Sequence, residues 1–219
     1  MQTPIAYNSA TFMGVLHHEI GSHLIRRFNE IQQPWNKCRE AYSLESSILQ
    51  EEGSGCLNFY LEQSKDAFDA DLKEEDRRRT YLFKPALNYY MCCKASEMSF
   101  YELYKDLEKY VDSPKLRYKF VLRIKRSLSD TSQPGGLYKD QVYLEGAVIL
   151  LQSRNEINWQ AYYSAKINIE DLKRQRIMKN LKTPSSDSGI VMPKFVANKA
   201  AVKQYLQCLD VIAADNVIE

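Results

Sequence analysis

The segment HHEIGSH at positions 17–23 gathers all three histidines of the chain around one glutamate. Imidazole nitrogens and a carboxylate are the donors that a zinc-type divalent site uses. His18, Glu19 and His23 fit H-E-x-x-x-H, one residue longer than the common H-E-x-x-H zinc motif. In a regular α-helix, residues i and i+4 lie about 40° apart and residues i and i+5 about 140° apart. Two histidines at the longer interval cannot reach one ion from a regular helix.

A single widened π turn would return both rings to one face, and such turns favour functional sites. Gly21 lies inside the interval and would ease that distortion. A regular helix would instead align Glu19 with His23, and spacing alone leaves both geometries open. Downstream, Glu51 and Glu52 precede Gly53 on a second predicted helix, where either could supply a third ligand. Two histidines and a glutamate leave a fourth position for water. Glu19, next to a ligand, would then serve as general base.

The elements that must position these groups are helical. Glycine and proline are few, at 8 and 7, and apolar residues recur at three- and four-residue intervals. The first helix, expected over about 9–31, carries Phe12, Leu16, Ile20, Leu24 and Phe28 at four-residue spacing. A second is expected over about 44–63 and a third over 80–94, with a helical remainder across 76–219. Ser99 and Glu102 form a capping box, and Ser113-Pro114 opens a helix to about Leu128. DTSQPGG (130–136) and TPSSDSG (183–189) read as loops, 139–154 as a buried helix and 196–213 as the last helix. Residues 157–169 are ambiguous, and part of them could be a strand. The reading is one mainly α domain over 1–219.

Composition narrows the function classes. Thirty basic and 28 acidic residues leave a formal charge of +2, without the basic excess of a nucleic-acid binder. No apolar run reaches the roughly 18–20 residues of a membrane span. The opening MQTPIAYNS has no signal-peptide pattern, and five cysteines without a C-x-x-C pair suit a reducing compartment. A cytoplasmic protein without membrane or nucleic-acid partners is expected.

HEIGSH followed by LIRRFNEIQQPWN and QEEG resembles the microtubule-associated tyrosine carboxypeptidase family, zincin-like metallopeptidases that include bacterial proteins named for a QEGLA motif. The resemblance continues through MSFYELYKDLEKYV, RIKR (123–126), DTSQPGG and KDQVYLEG, from about Thr11 to Ile169. It implies a zincin-like domain holding one zinc ion and removing a C-terminal tyrosine, with the α-tubulin tail or microtubules as partner and a cytoskeletal association. By the same resemblance His18 and His23 match the zinc histidines, Glu19 the catalytic glutamate and Glu52 the third ligand. The family's E-G-L-A continues here as Glu52-Gly53-Ser54-Gly55. Its N-terminal strand region is expected to be largely absent, since about seventeen residues precede His18. A shortened member acting as a microtubule- or partner-binding domain is the alternative reading.

Tyr143, in the KDQVYLEG block, is the candidate donor to the tetrahedral oxyanion. Arg123, Lys125, Arg126 and Lys139 flank the DTSQPGG loop and are candidates to hold a substrate's terminal carboxylate. RRR (77–79), RIKR and KRQR (173–176) are the basic patches that could draw an acidic tail.

Overall fold

The computed structural model describes residues 9–219, and its first segment is helical from Ser9 to Gln32 with a change of pitch in the middle. Helix α1 (Ser9–Leu16) passes into a π-helical segment, π1 (His17–Leu24), and then into α2 (Ile25–Gln32). Of the two geometries that the histidine spacing left open, the widened turn is the one present. Ser22 supports it by donating its hydroxyl to the His17 carbonyl, five residues back, at 3.2 Å. The fold is mainly α, with no strand among the described residues.

The four-residue apolar series does not form the buried face of this segment. Phe12, Ile20, Leu24 and Phe28 are all exposed, Leu24 to 58%. The inward face of α2 and its end is instead polar, with Arg26, Asn29, Glu30 and Gln33 buried at helical spacing. Each finds backbone partners on one returning stretch. Arg26 donates from Nε to the Ala165 carbonyl at 3.0 Å and from Nη2 to the Ile167 carbonyl at 2.7 Å. Asn29 donates to the Tyr163 carbonyl at 2.8 Å, Gln33 to the Ser164 carbonyl at 2.7 Å, and Glu30 accepts from the Lys166 amide at 2.9 Å. These side chains do for residues 163–167 what a neighbouring strand would do, because a buried backbone group left without a partner is costly. The ambiguous 157–169 region thus contains the short helix α9 (Trp159–Tyr163) and no strand.

The chain divides into two compact units, one built from residues up to Tyr81 with Gly146–Glu219, the other from Leu82–Glu145. In the first, π1 packs along α3 (Ile48–Phe59), which is followed after a break at Tyr60 by α4 (Leu61–Ser64). This helix begins at Ile48, later than the sequence suggested, and is interrupted before Gln63. In the second unit, α5 (Phe83–Ala95), α6 (Phe100–Asp106) and α7 (Pro114–Lys125) enclose Leu87, Met91, Cys92, Leu103, Leu107, Val121 and Ile124. The capping box forms as read, with the Ser99 amide donating to Glu102 at 2.8 Å, and Ser113 caps α7 ahead of Pro114.

Helix α8 (Gln141–Gln152) follows, and α10 (Ile169–Leu172), α11 (Gln175–Asn180) and α12 (Lys199–Asp215) complete the order after α9. The expected final helix starts three residues later than Val196. No described helix is long and apolar enough to cross a membrane. The five cysteines are free thiols.

At Gly53 and Gly146 in the first unit, α3 and α8 approach each other backbone to backbone. A Cβ built on Gly53 would stand 2.2 Å from the Gly146 carbonyl carbon, and one on Gly146 would stand 2.0 Å from the Leu49 carbonyl oxygen. Backbone meets backbone here, so neither methyl can be absorbed by a rotamer change. Gly146→Ala is therefore expected to lower stability by about 1–3 kcal/mol or more through overpacking. Thermal unfolding of the variant beside Ala147→Gly, a change at the neighbouring position, would measure it; an unshifted midpoint for Gly146→Ala would contradict the close crossing.

Candidate metal centre

His18 and His23 are presented by π1, and Glu52 faces them from α3. The three side chains offer ligand atoms that all lie within 4.8 Å of one another. The two Nε2 atoms are 3.3 Å apart, and Glu52 Oε2 lies 3.5 Å from His23 Nε2 and 3.8 Å from His18 Nε2. Two nitrogens bound at 2.0–2.1 Å to one tetrahedral ion would be separated by about 3.3 Å. The donor set and its spacing thus fit a single divalent ion, and the sequence-derived choice of His18, His23 and Glu52 is the cluster the structure brings together.

The backing of these ligands was not read from sequence. Glu51 is 4% exposed and turns away from Glu52, accepting a hydrogen bond from His23 Nδ1 at 2.8 Å. The same Glu51 oxygen is 2.9 Å from Lys166 Nζ, while Oε2 has no hydrogen-bond partner among the described residues. A proton held on Nδ1 leaves the lone pair of Nε2 directed at the cluster, which is how a carboxylate orients a metal-binding imidazole. Adjacent residues on a helix point about 100° apart. One glutamate of the pair can therefore face the ion position while its neighbour braces a ligand.

His18 is fixed differently. Its ring lies so close to α3 that a Cβ on Gly55 would come within 2.9 Å of its Cε1, and it hydrogen-bonds the Gly55 backbone. The poor helix former at this position thus provides room for the ligand ring. Gly21, by contrast, faces the Phe195 ring at 2.9 Å from a built Cβ, so its use is space on the far side of the turn. Beneath π1, Ser22 accepts from Asn58 Nδ2 at 2.7 Å, and Asn58 also bonds the hydroxyls of Tyr163 and Tyr205. Asn58 lies seven residues after Glu51 on α3, a spacing that shares a face and is the signal a sequence search could have used.

Electrostatics follow from this arrangement. Burial lowers the His18 pKa, and the neighbouring His23 lowers it further. The hydrogen bonds to Glu51 and then Glu52 raise His23 to about 9. Burial pushes the Glu51 carboxyl up, but His23, Arg26 and Lys166 outweigh it and hold the group below its ordinary value. Glu19 is exposed beside the cluster, and its charge is felt by His18. His17 belongs elsewhere, 3.0 Å from Glu62 and edge-on to Phe195.

The remaining sequence candidates lie in the second unit. Tyr143 is half-buried on α8, three residues before Gly146, and hydrogen-bonds Arg123. Arg123 is ion-paired with Asp140, whose second oxygen accepts at 3.0 Å. Lys125 is corrected to a structural role. It is fully buried, its ammonium donates to the carbonyls of Ala95, Met98 and Gly135, and the Gln133 carbonyl lies 3.4 Å away. That ammonium pins the 130–136 loop and offers no charge to a substrate. Arg126 and Lys139 are exposed, without a carboxylate partner among the described residues.

Removal of the brace should be felt at the ion. Glu51→Ala is expected to weaken metal affinity about 10- to 100-fold, read by competition with a chromophoric chelator; unchanged affinity would mean that Glu51 does not orient His23. The raised His23 pKa has its own signature in metal-free protein. A folded value of about 9 against 6.5 unfolded gives stability that is complete below 6.5 and lost as pH rises through about 9. Unfolding midpoints of chelator-treated protein should fall across that window, and the fall should be smaller in His23→Gln.

No family model matches the chain. Curated relatives do. MATCAP2 of Mus musculus is 37% identical over 177 residues, covering 78% of this chain and 31% of that protein. Microtubule-associated tyrosine carboxypeptidase 1 of Mus musculus is 36% identical over 177 residues, covering 78% of this chain and 35% of its own length. The Rattus norvegicus protein of the same name is 37% identical over 166 residues, covering 74% and 32%. The chain spans about a third of the length of these relatives. With the ligand cluster and its neighbouring glutamate in place, the chain belongs to the microtubule-associated tyrosine carboxypeptidase family.

Proposed function

We propose that this chain is a zinc-dependent carboxypeptidase of zincin type that removes a C-terminal tyrosine, with the α-tubulin tail as substrate. The observation that carries the reading is Glu19, an exposed carboxylate standing beside the His18–His23–Glu52 cluster but outside it. A purely structural metal site has no use for such a group. The names of the relatives support peptidase chemistry and a microtubule setting, and from them we also infer a cytoplasmic, cytoskeleton-associated protein.

His18, His23 and Glu52 would hold one zinc ion, which when bound supplies Lewis acidity to a carbonyl and to water. Glu19 takes the proton of the attacking water on its carboxylate and returns it to the leaving amine of the terminal residue. Glu51 and Lys166 keep His23 in the tautomer that leaves Nε2 free. We assign the Tyr143 hydroxyl as donor to the developing oxyanion. We assign the terminal carboxylate to the exposed Arg126 and Lys139, while Arg123 is ion-paired with Asp140.

Glu19→Gln should retain zinc and lose tyrosine release from an α-tubulin tail peptide by a factor of about a hundred or more. Tyrosine release by chromatography and zinc by mass spectrometry would be followed on the same samples. Turnover that survives in the zinc-loaded variant would exclude Glu19 as the base. A C-terminally amidated peptide should resist cleavage, and equal cleavage of both forms would remove the carboxylate requirement.

A further inference from the structure

Three basic runs are visible in the sequence, and the structure treats them differently. Arg77, Arg78 and Arg79 are neutralised at home by Glu74, Asp66, and Glu74 with Asp215. In the 173–176 run, Arg174 is paired with Asp171 and bonded to two carbonyls, while Arg176 lies over the Tyr42 ring at 4.9 Å. The third run belongs to α7 and its cap, where residues 114–126 include six basic residues and no acidic one.

Arg117 and Lys125 point inward, the first to Glu108 and the Val111 carbonyl. The other four, Lys115, Lys119, Arg123 and Arg126, are exposed. At about 100° per residue they fall within an arc of about 80° on one side of the helix. The same outward face exposes Tyr118 (52%) and Leu122 along one margin and Leu116 along the other. Lys115, Lys119 and Arg126 have no carboxylate partner among the described residues, whereas Arg123 is held by Asp140. A solvated helix face usually mixes both signs of charge, and this one does not.

We propose that the outer face of α7 is a docking surface for an acidic polypeptide segment that carries apolar side chains. Carboxylates of the partner meet Lys115, Lys119 and Arg126, and its apolar groups settle on Leu116, Tyr118 and Leu122. The charge complementarity commits the occupant. A neutral or basic partner would leave three like charges crowded within three turns of helix, whereas an acidic one relieves that repulsion. The surface rests on and deepens the peptidase reading, by naming what holds the acidic substrate which that reading supposes. The binding itself needs neither metal nor turnover.

The test is fluorescence anisotropy of a labelled glutamate-rich peptide with interspersed phenylalanines, titrated with chelator-treated full chain. Its counterpart with glutamine for glutamate serves as control. The expected result is binding of the acidic peptide alone, weakening steeply from about 50 to about 300 mM salt as exposed charges are screened. Lys115→Glu/Lys119→Glu should weaken binding at least tenfold, and Leu122→Ser severalfold, with circular dichroism unchanged. Equal binding of both peptides, no binding by wild type, or full binding by the double variant would each overturn the proposal. Because zinc is absent throughout, failure here is separate from failure of the peptidase reading, which the Glu19 variant addresses.

Discussion

Everything at the candidate centre depends on one extra residue in one helical turn. His18 and His23 are five apart, and only the wider pitch of π1 sets their Nε2 atoms 3.3 Å from each other. That pitch is not free, because π-helical hydrogen bonding is rare outside single functional turns. It is held from below by the Ser22 hydroxyl on the His17 carbonyl and by Asn58 reaching up from α3. It is held from the side by Glu51, which grips His23 while Lys166 grips Glu51. The close crossing of Gly53 and Gly146 brings backbone of α8 against α3 immediately beside Glu52. Ligands, braces and helix crossing therefore form one connected assembly.

The segment around the centre inverts the usual distribution of polar and apolar groups. Its apolar series faces outward and its buried face is lined by Arg26, Asn29, Glu30 and Gln33. Such a face is stable only because nearly every polar atom has a partner, most of them main-chain groups of residues 163–167. The arrangement ties the helix that carries His18 and His23 to residues 163–167. Arg26 also adds positive charge behind Glu51, which helps keep that carboxylate ionised against its burial.

What was legible in the sequence was local. The interval between His18 and His23 raises the π turn, Ser99 and Glu102 announce a cap, and Pro114 marks a helix start, because each is decided within a few residues. The choice of Glu52 over Glu51 came from resemblance, and spacing alone left it open. What escaped was decided across the chain. Glu51 meets Lys166 at a separation of 115 residues, and Arg26 meets Ala165 at 139. Lys125 looks like a surface cation in RIKR, yet carbonyls from two separate segments, 95–98 and 133–135, converge on it. The strand-like character of residues 157–169 likewise misleads, because the stretch after α9 is turn and irregular backbone whose partners are side chains, a distinction that periodicity cannot make.

We infer that π1 and α3 together hold one metal ion between two imidazoles and one carboxylate. X-ray absorption at the zinc edge on the zinc-loaded full chain tests it most directly. A nearest shell of nitrogen and oxygen at about 2.0–2.1 Å is expected, with the outer scattering of two imidazole rings and no sulfur. In His23→Ala the signal of one ring should disappear. A shell containing sulfur, a single ring in the wild type, or six oxygens at longer distance would place the ion elsewhere and contradict the account.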